Sequence, residues 1–252
     1  MDIQAQKSFQ PKQADTEWKG IIYRKEETGV FGVHTNGMNF AYQSGKIKTY
    51  YKTSYYNIEV GYLRDPREYS QNRNIPVSFG KVSRSFRFGK QNSVFTIRAG
   101  KGTKRLISDK ARRRGVALGY NMEAGPVIAI LKPYYLELIY DYIQDGQVYS
   151  QLREERYTTD NASKFLDYNA VFGGGSFNRG WNQISIMPGA QAKFGFFVSP
   201  GAFEGFAKSV EIGIMGDLFI RKLPIMVETP QVSNTAFFLN VYAAVELGRR
   251  KY

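Results

Sequence analysis

Cysteine is absent from the 252 residues, which excludes disulfides and thiolate metal centres. Its absence fits chains of an oxidising envelope, where an unpaired thiol is a liability. A single histidine, His34, gives no basis for a multi-histidine metal site, so neither metal nor cofactor is expected. Long apolar runs are missing too. Stretches such as AGPVIAIL at 124–131 fall far short of the roughly 20 residues a helix needs to cross a bilayer. A membrane protein of this sequence must therefore cross with strands. The opening MDIQAQKSFQ carries no apolar export-signal core, so an exported chain is expected either to stand here in its mature form or to begin upstream of this sequence.

What the sequence does contain is positive charge, aromatic residues and glycine. The formal net charge is +13, with 18 Tyr, 18 Phe and 25 Gly. Aromatic and glycine enrichment suits strands, interfacial girdles and tight packing inside a barrel. A hydrophobic content of 42% supports a core or a lipid belt and argues against global disorder. The basic balance points to anionic headgroups, lipopolysaccharide phosphates or an acidic partner. Nucleic acid is not expected, because the basic residues lie on no recognition helix or known nucleic-acid module.

The clearest local pattern is the C-terminal FFLNVYAAVELGRRKY. Phe237, Leu239, Val241, Ala243, Val245 and Leu247 share one face of an extended strand, while Asn240, Tyr242, Ala244, Glu246 and Arg250 share the other. Similar alternation predicts strands near 28–43, 47–63, 93–102, 116–123, 127–141, 184–198, 210–221 and 237–252. The first needs a bulge near Asn36–Gly37 to keep one apolar side. Turns are expected at Ser44–Lys46 and at Glu123–Pro126. Residues 1–27 are read as a mobile N-terminal arm and 28–252 as a single domain. The segments 64–92 and 142–179 are too long for hairpin turns and are read as excursions from one sheet.

Opposite each apolar face lie Gly, Ala, Asn and Gln with isolated charges of both signs. Glu59, Glu211, Asp217 and Glu246 stand against Arg98, Lys193 and Arg221. Such a face suits the filled interior of an eight-stranded barrel, where charges are tolerated when paired. The expected fold is all-β, an eight-stranded antiparallel transmembrane β-barrel with long loops. The seven charged residues are expected to form its lumenal ion-pair network. A soluble β-rich binding protein is the alternative architecture.

FGVHTNGMNFAYQSGK at 31–46, FTIRAGKG at 95–102 and ILKPYYLEL at 130–138 resemble segments of small outer-membrane β-barrel proteins of Bacteroidota-type, Gram-negative bacteria. That resemblance spans about residues 28–252 and implies an outer-membrane location. It also implies an accessory role in a larger envelope complex and no catalytic residues; the expected function is that of a non-enzymatic structural subunit beside machinery for protein export or outer-membrane protein assembly. Two further features bear on function. The basic stretch KGTKRLISDKARRRG reads as a turn whose Lys104, Arg105, Lys110, Arg112, Arg113 and Arg114 are suited to clamp lipopolysaccharide phosphates or partner carboxylates. His34, in VHTNG, is similar to the His of the His-x-Ser-Asn pattern of lipid A deacylases, an enzymatic alternative. The pattern departs where a Ser should stand, and a structural histidine is the expected reading.

Overall fold

The computed structural model describes residues 23–73, 79–107, 116–200, 205–231 and 233–252. Its strands run β1 (Lys25–His34), β2 (Gly37–Thr49), β3 (Lys52–Leu63), β4 (Ser70–Gln71), β5 (Phe86–Arg87), β6 (Asn92–Leu106) and β7 (Val116–Pro133). They continue with β8 (Tyr135–Gln144), β9 (Gln147–Arg156), β10 (Val171–Gly174), β11 (Ser185–Pro200), β12 (Phe206–Phe219) and β13 (Phe237–Lys251). One short helix, α1, spans Ala162–Phe165. Eight strands close an antiparallel barrel in the order β1-β2-β3-β6-β7-β11-β12-β13, and β13 pairs back onto β1. The expected all-β fold with a closed eight-stranded antiparallel barrel therefore stands. The barrel's lower end carries the Tyr50–Tyr51 turn, the ends of β6 and β11 and the starts of β7 and β12. Its upper end carries the Thr35–Asn36 turn and three longer connections, 64–91, 134–184 and 220–236.

Several expected boundaries are corrected. The strand read over 28–43 is a hairpin, with Val33 opposite Met38 and His34 opposite Gly37. The parity switch at Asn36–Gly37 marks a hairpin, not a bulge: Thr35 and Asn36 form its two-residue turn and Gly37 opens β2. Gly37 is obligatory there: its φ is +153°, and a Cβ would stand 1.9 Å from the Tyr62 carbonyl oxygen. No turn forms at Ser44–Lys46, where β2 continues to Thr49. No turn forms at Glu123–Pro126 either, because β7 runs straight through. Gly125 fits since any side chain would strike the Ala99 carbonyl at 2.1 Å. Pro126, lacking an N–H, sits where the β6 ladder is interrupted between Arg98↔Val127 and Lys101↔Ala124. Residues 135–141 leave the barrel as β8. Lys25, Glu26 and Glu27 of the expected arm belong to β1, and residues 1–22 lie outside the described residues.

The polarity of the barrel is inverted relative to a water-soluble core. Outward side chains are large, apolar and exposed, including Phe40, Ile58, Ile128, Ile212, Leu239 and Val241. Inward ones include Arg98, Asp217 and Asn240, each 0% exposed. Apolar residues turn inward mainly near the upper end. There Leu63, Val94, Val127, Ala129, Leu131, Phe219 and Phe238 pack with Leu223 and Ile225 of the 220–236 connection. Backbone bonds fix that connection in the upper opening: Gln91 N donates to Ile225 O at 2.8 Å and Val227 N to Gly89 O at 2.8 Å.

Above this seal the other two long connections build a cap. β10, β8 and β9 form a small sheet, β4 pairs with β5, and α1 packs beside β8. Phe86, Leu136, Leu138, Phe165, Val171 and Val227 form a second apolar cluster that joins all three connections. Lys90, fully buried, donates to Glu68 Oε2 at 2.5 Å and to the Tyr62 hydroxyl at 3.0 Å, tying the cap to β3. In the same connection Asp65 is held by Arg67. Burial pushes its carboxyl up, but the Arg67 hydrogen bonds and charge outweigh this and leave it below the usual carboxylate range.

If Leu223 and Ile225 seal the barrel, Leu223→Ala or Ile225→Ala should each lower stability by roughly 2–5 kcal/mol in denaturant unfolding. An unchanged midpoint would mean that the connection rests on the opening without sealing it.

Candidate functional site

Period-two alternation turns one residue in two toward the lumen, so the polar positions of neighbouring strands meet inside. They form three tiers. In the upper tier Arg98 of β6 reaches across the lumen to β12. Its Nε and Nη2 donate to Asp217 Oδ1 and Oδ2 at 2.9 and 2.7 Å, while Nη1 donates to Glu59 Oε1 at 2.8 Å. Lys193 of β11 donates to the other oxygen of Glu59. One guanidinium thus neutralises carboxylates from strands on opposite sides of the barrel. The two parallel bonds to Asp217 are the geometry that favours Arg over Lys.

In the middle tier no cation takes part. Glu123 Oε1 accepts from Asn57 Nδ2 at 2.9 Å and from Gln191 Nε2 at 3.0 Å. The Tyr55 hydroxyl bridges Asn121 Oδ1, at 2.7 Å, and Glu123 Oε2, at 3.0 Å. Asn121 Nδ2 donates to Glu211 at 3.1 and 3.2 Å, and the Tyr242 hydroxyl donates to Glu211 Oε1. Room for the two rings comes from glycine. A Cβ on Gly102 would lie 2.2 Å from the Tyr55 ring, and one on Gly195 would lie 2.6 Å from the Tyr242 oxygen. In the lower tier Lys104 pairs with Glu246, Ser209 Oγ donates to Glu246 Oε2 at 2.8 Å, and Arg250 Nε donates to Glu26 Oε2 at 2.6 Å.

Of the expected lumenal residues, Glu59, Arg98, Lys193, Glu211, Asp217 and Glu246 lie inside the barrel. Arg221 does not. β12 ends at Phe219, and Arg221 is exposed where the chain bends toward the seal, so its parity carries no meaning. Lys104 and Arg105 are not in a turn, because β6 extends to Leu106. Lys104 faces the lumen as the partner of Glu246, and Arg105 faces outward. Lys110, Arg112, Arg113 and Arg114 lie outside the described residues. Tyr55, Asn57, Asn121, Glu123, Gln191, Tyr242, Glu26 and Arg250 were missing from the expected network. The signal was available: Tyr55 precedes Asn57 and Glu59 at period two, and Tyr242 lies between Asn240 and Glu246 on the same face.

His34 ends β1 on the lumenal side, and neither imidazole nitrogen has a hydrogen-bond partner among the described residues. Thr35, its neighbour, donates instead to Asn240 Oδ1 at 3.1 Å. A histidine acting as base on a nucleophile needs that hydroxyl within hydrogen-bond reach, and here no described hydroxyl is hydrogen-bonded to it. No three His, Cys, Asp or Glu residues among those described gather in a metal-holding group. The arrangement is suited to holding the barrel shut. No family model, curated protein or solved structure matches this chain, so its tiers and seal stand on their own geometry.

Removing one partner from a buried ionic cluster leaves the other charge uncompensated, which costs about 3–5 kcal/mol. Arg98→Ala should therefore destabilise far more than Arg221→Ala, which should change stability by less than about 0.5 kcal/mol. Equal effects in chemical unfolding would remove Arg98 from its place as the cross-lumen tie.

Proposed function

We propose that this barrel lies in a bacterial outer membrane and serves, without catalysis of its own, as a structural accessory subunit of a larger envelope complex. The observation that carries the reading is the inverted polarity. An apolar surface on all eight strands surrounds a charged, hydrogen-bonded lumen, and water on the outside would leave that surface unburied. Lipid outside removes the cost, and a closed barrel leaves no unpaired strand edge in it. Barrel strands of 10 to 18 residues reach the roughly 9–11 needed to cross a bilayer tilted. Short connections at one end and long ones at the other match the usual asymmetry of such barrels. The resemblance of residues 31–46, 95–102 and 130–138 to Bacteroidota outer-membrane barrels supports the same setting.

A subunit role is favoured over a pore because the tiers and the upper seal fill the lumen. It is favoured over a lipid A-modifying enzyme because no hydroxyl among the described residues is hydrogen-bonded to His34. The cap offers the contact surface for protein export or outer-membrane assembly machinery. The outer half of the β8–β9 hairpin extends beyond its pairing with β10, which engages only Leu136–Leu138 of β8. It exposes Tyr142, Ile143, Val148 and Tyr149 around the Asp145–Gly146 turn.

Purification from envelope fractions in mild detergent tests this reading. The tagged protein should require detergent and elute with partner proteins. Elution as a lone monomer would overturn the subunit role, and full solubility without detergent would overturn the membrane location. In planar bilayers the purified barrel should show negligible conductance. Stable channel steps would mean that the lumen is open.

A further inference from the structure

We propose that the outer face of β2, β3, β6 and β7 near the upper end holds an anionic phospholipid, with its acyl chain in an apolar groove and its phosphate at Lys132. The inference rests on the membrane reading above. A groove of about 400 Å³ opens on this face between Phe40, Val60, Tyr62, Phe95, Ile130 and Trp181. It is built, not incidental. Gly180, at φ +87°, turns the chain back against the barrel, where a Cβ would stand 3.1 Å from the Tyr135 ring and 3.2 Å from the Pro133 carbonyl. Trp181 then stacks on Phe95 at 5.9 Å and meets Phe177 edge-on at 5.9 Å. Two bonds pin this overhang: Arg179 Nη1 donates to Glu154 O at 3.1 Å, and the Tyr135 hydroxyl donates to Gln183 Oε1 at 2.8 Å.

Lys132 supplies the charge. It is the outward residue near the upper end of β7, 4% exposed, with Nζ over Phe177 at 4.4 Å and over Trp181 at 5.3 Å. Among the described residues no carboxylate pairs with it. That sets it apart from Arg98, Lys104, Lys193 and Lys90, each of which has a carboxylate partner. An ammonium on a side chain this little exposed, compensated among the described residues by two ring faces and set beside an apolar groove, is complementary to an anion with a hydrocarbon tail. Basic residues between transmembrane segments recognise lipid headgroups in the same way.

The chain has two tryptophans, so a Trp18→Phe background leaves Trp181 as the reporter. This protein, reconstituted into phosphatidylcholine vesicles, is mixed with a small amount of brominated phosphatidylglycerol or brominated phosphatidylcholine. The brominated anionic lipid should quench Trp181 with about fivefold preference, the factor expected of one basic residue near an anionic surface. Lys132→Gln should bring the preference to unity, and Lys132→Arg should keep it. Equal quenching by both lipids in the unsubstituted Lys132 protein, or a preference that survives Lys132→Gln, overturns the proposal while leaving the membrane reading intact. Protein that fails to float with vesicles in a density gradient overturns that reading, and this site with it.

Discussion

Eight strands make a cylinder just wide enough for side chains to fill, so the charges buried inside it must be compensated by partners across the lumen. The rest of the structure follows from that constraint. Arg98 is its clearest expression, with its guanidinium divided between Asp217 on β12 and Glu59 on β3. Because Asp217 takes two bonds, the orientation of the guanidinium is set, and with it the side on which Glu59 and Lys193 can meet. Buried pairs of this kind add little net stability over a well-packed apolar core. Their stronger effect is on specificity. Slipping β6 or β12 by one residue would drive Arg98 or Asp217 outward and turn Ile97 or Leu218 inward, so their pairing favours one register.

The middle tier obeys the same rule with different chemistry. Glu123 and Glu211 are held by amides and tyrosine hydroxyls, with Asn121 between them accepting on one side and donating on the other. Tyrosine suits such a position, since its ring fills volume while its hydroxyl supplies a donor. The rings fit because glycines stand beneath them. Side-chain volume and hydrogen bonding are therefore solved together, strand by strand. The upper end changes to an apolar seal because there the chain itself returns to fill the opening.

How far this was readable in the sequence follows from the range of each signal. Period-two alternation is local, and it located the barrel strands and six lumenal charges. Turn placement depends on what the neighbouring strand allows. Gly125-Pro126 has the composition of a turn, yet its glycine meets the Ala99 backbone and its proline fits a gap in the ladder, so the strand runs on. Thr35-Asn36-Gly37 was the reverse case, a real hairpin read as a bulge because both arms are outwardly apolar. The total of eight survived because one merged hairpin offset one divided strand. Two of the three connections that build the cap were legible as excursions, 64–92 and 142–179, but how they pack was not. The cap's contacts join residues far apart in sequence, such as Phe86, Leu138 and Val227, and no periodicity announces them.

The distribution of charge links the lumen to the surface. The named lumenal set holds six carboxylates, Glu26, Glu59, Glu123, Glu211, Asp217 and Glu246, against four cations, Arg98, Lys104, Lys193 and Arg250. Its formal balance is −2, so the remainder of the chain is more positive than the +13 of the whole, at +15. The outward band is almost uncharged in its middle, and exposed cations gather at the lower end. At the lower end Lys46, Lys48, Lys52, Arg105, Arg249 and Lys251 all stand on the last turns of the barrel strands, facing outward or at the rim. In the proposed membrane such residues meet phosphate headgroups, while their apolar stems still cover the edge of the hydrocarbon band. An outer middle nearly free of charge above a basic lower rim is the pattern that the proposed membrane would favour. The same division that forces acids inward to be paired therefore sorts cations to the positions where a bilayer would hold them.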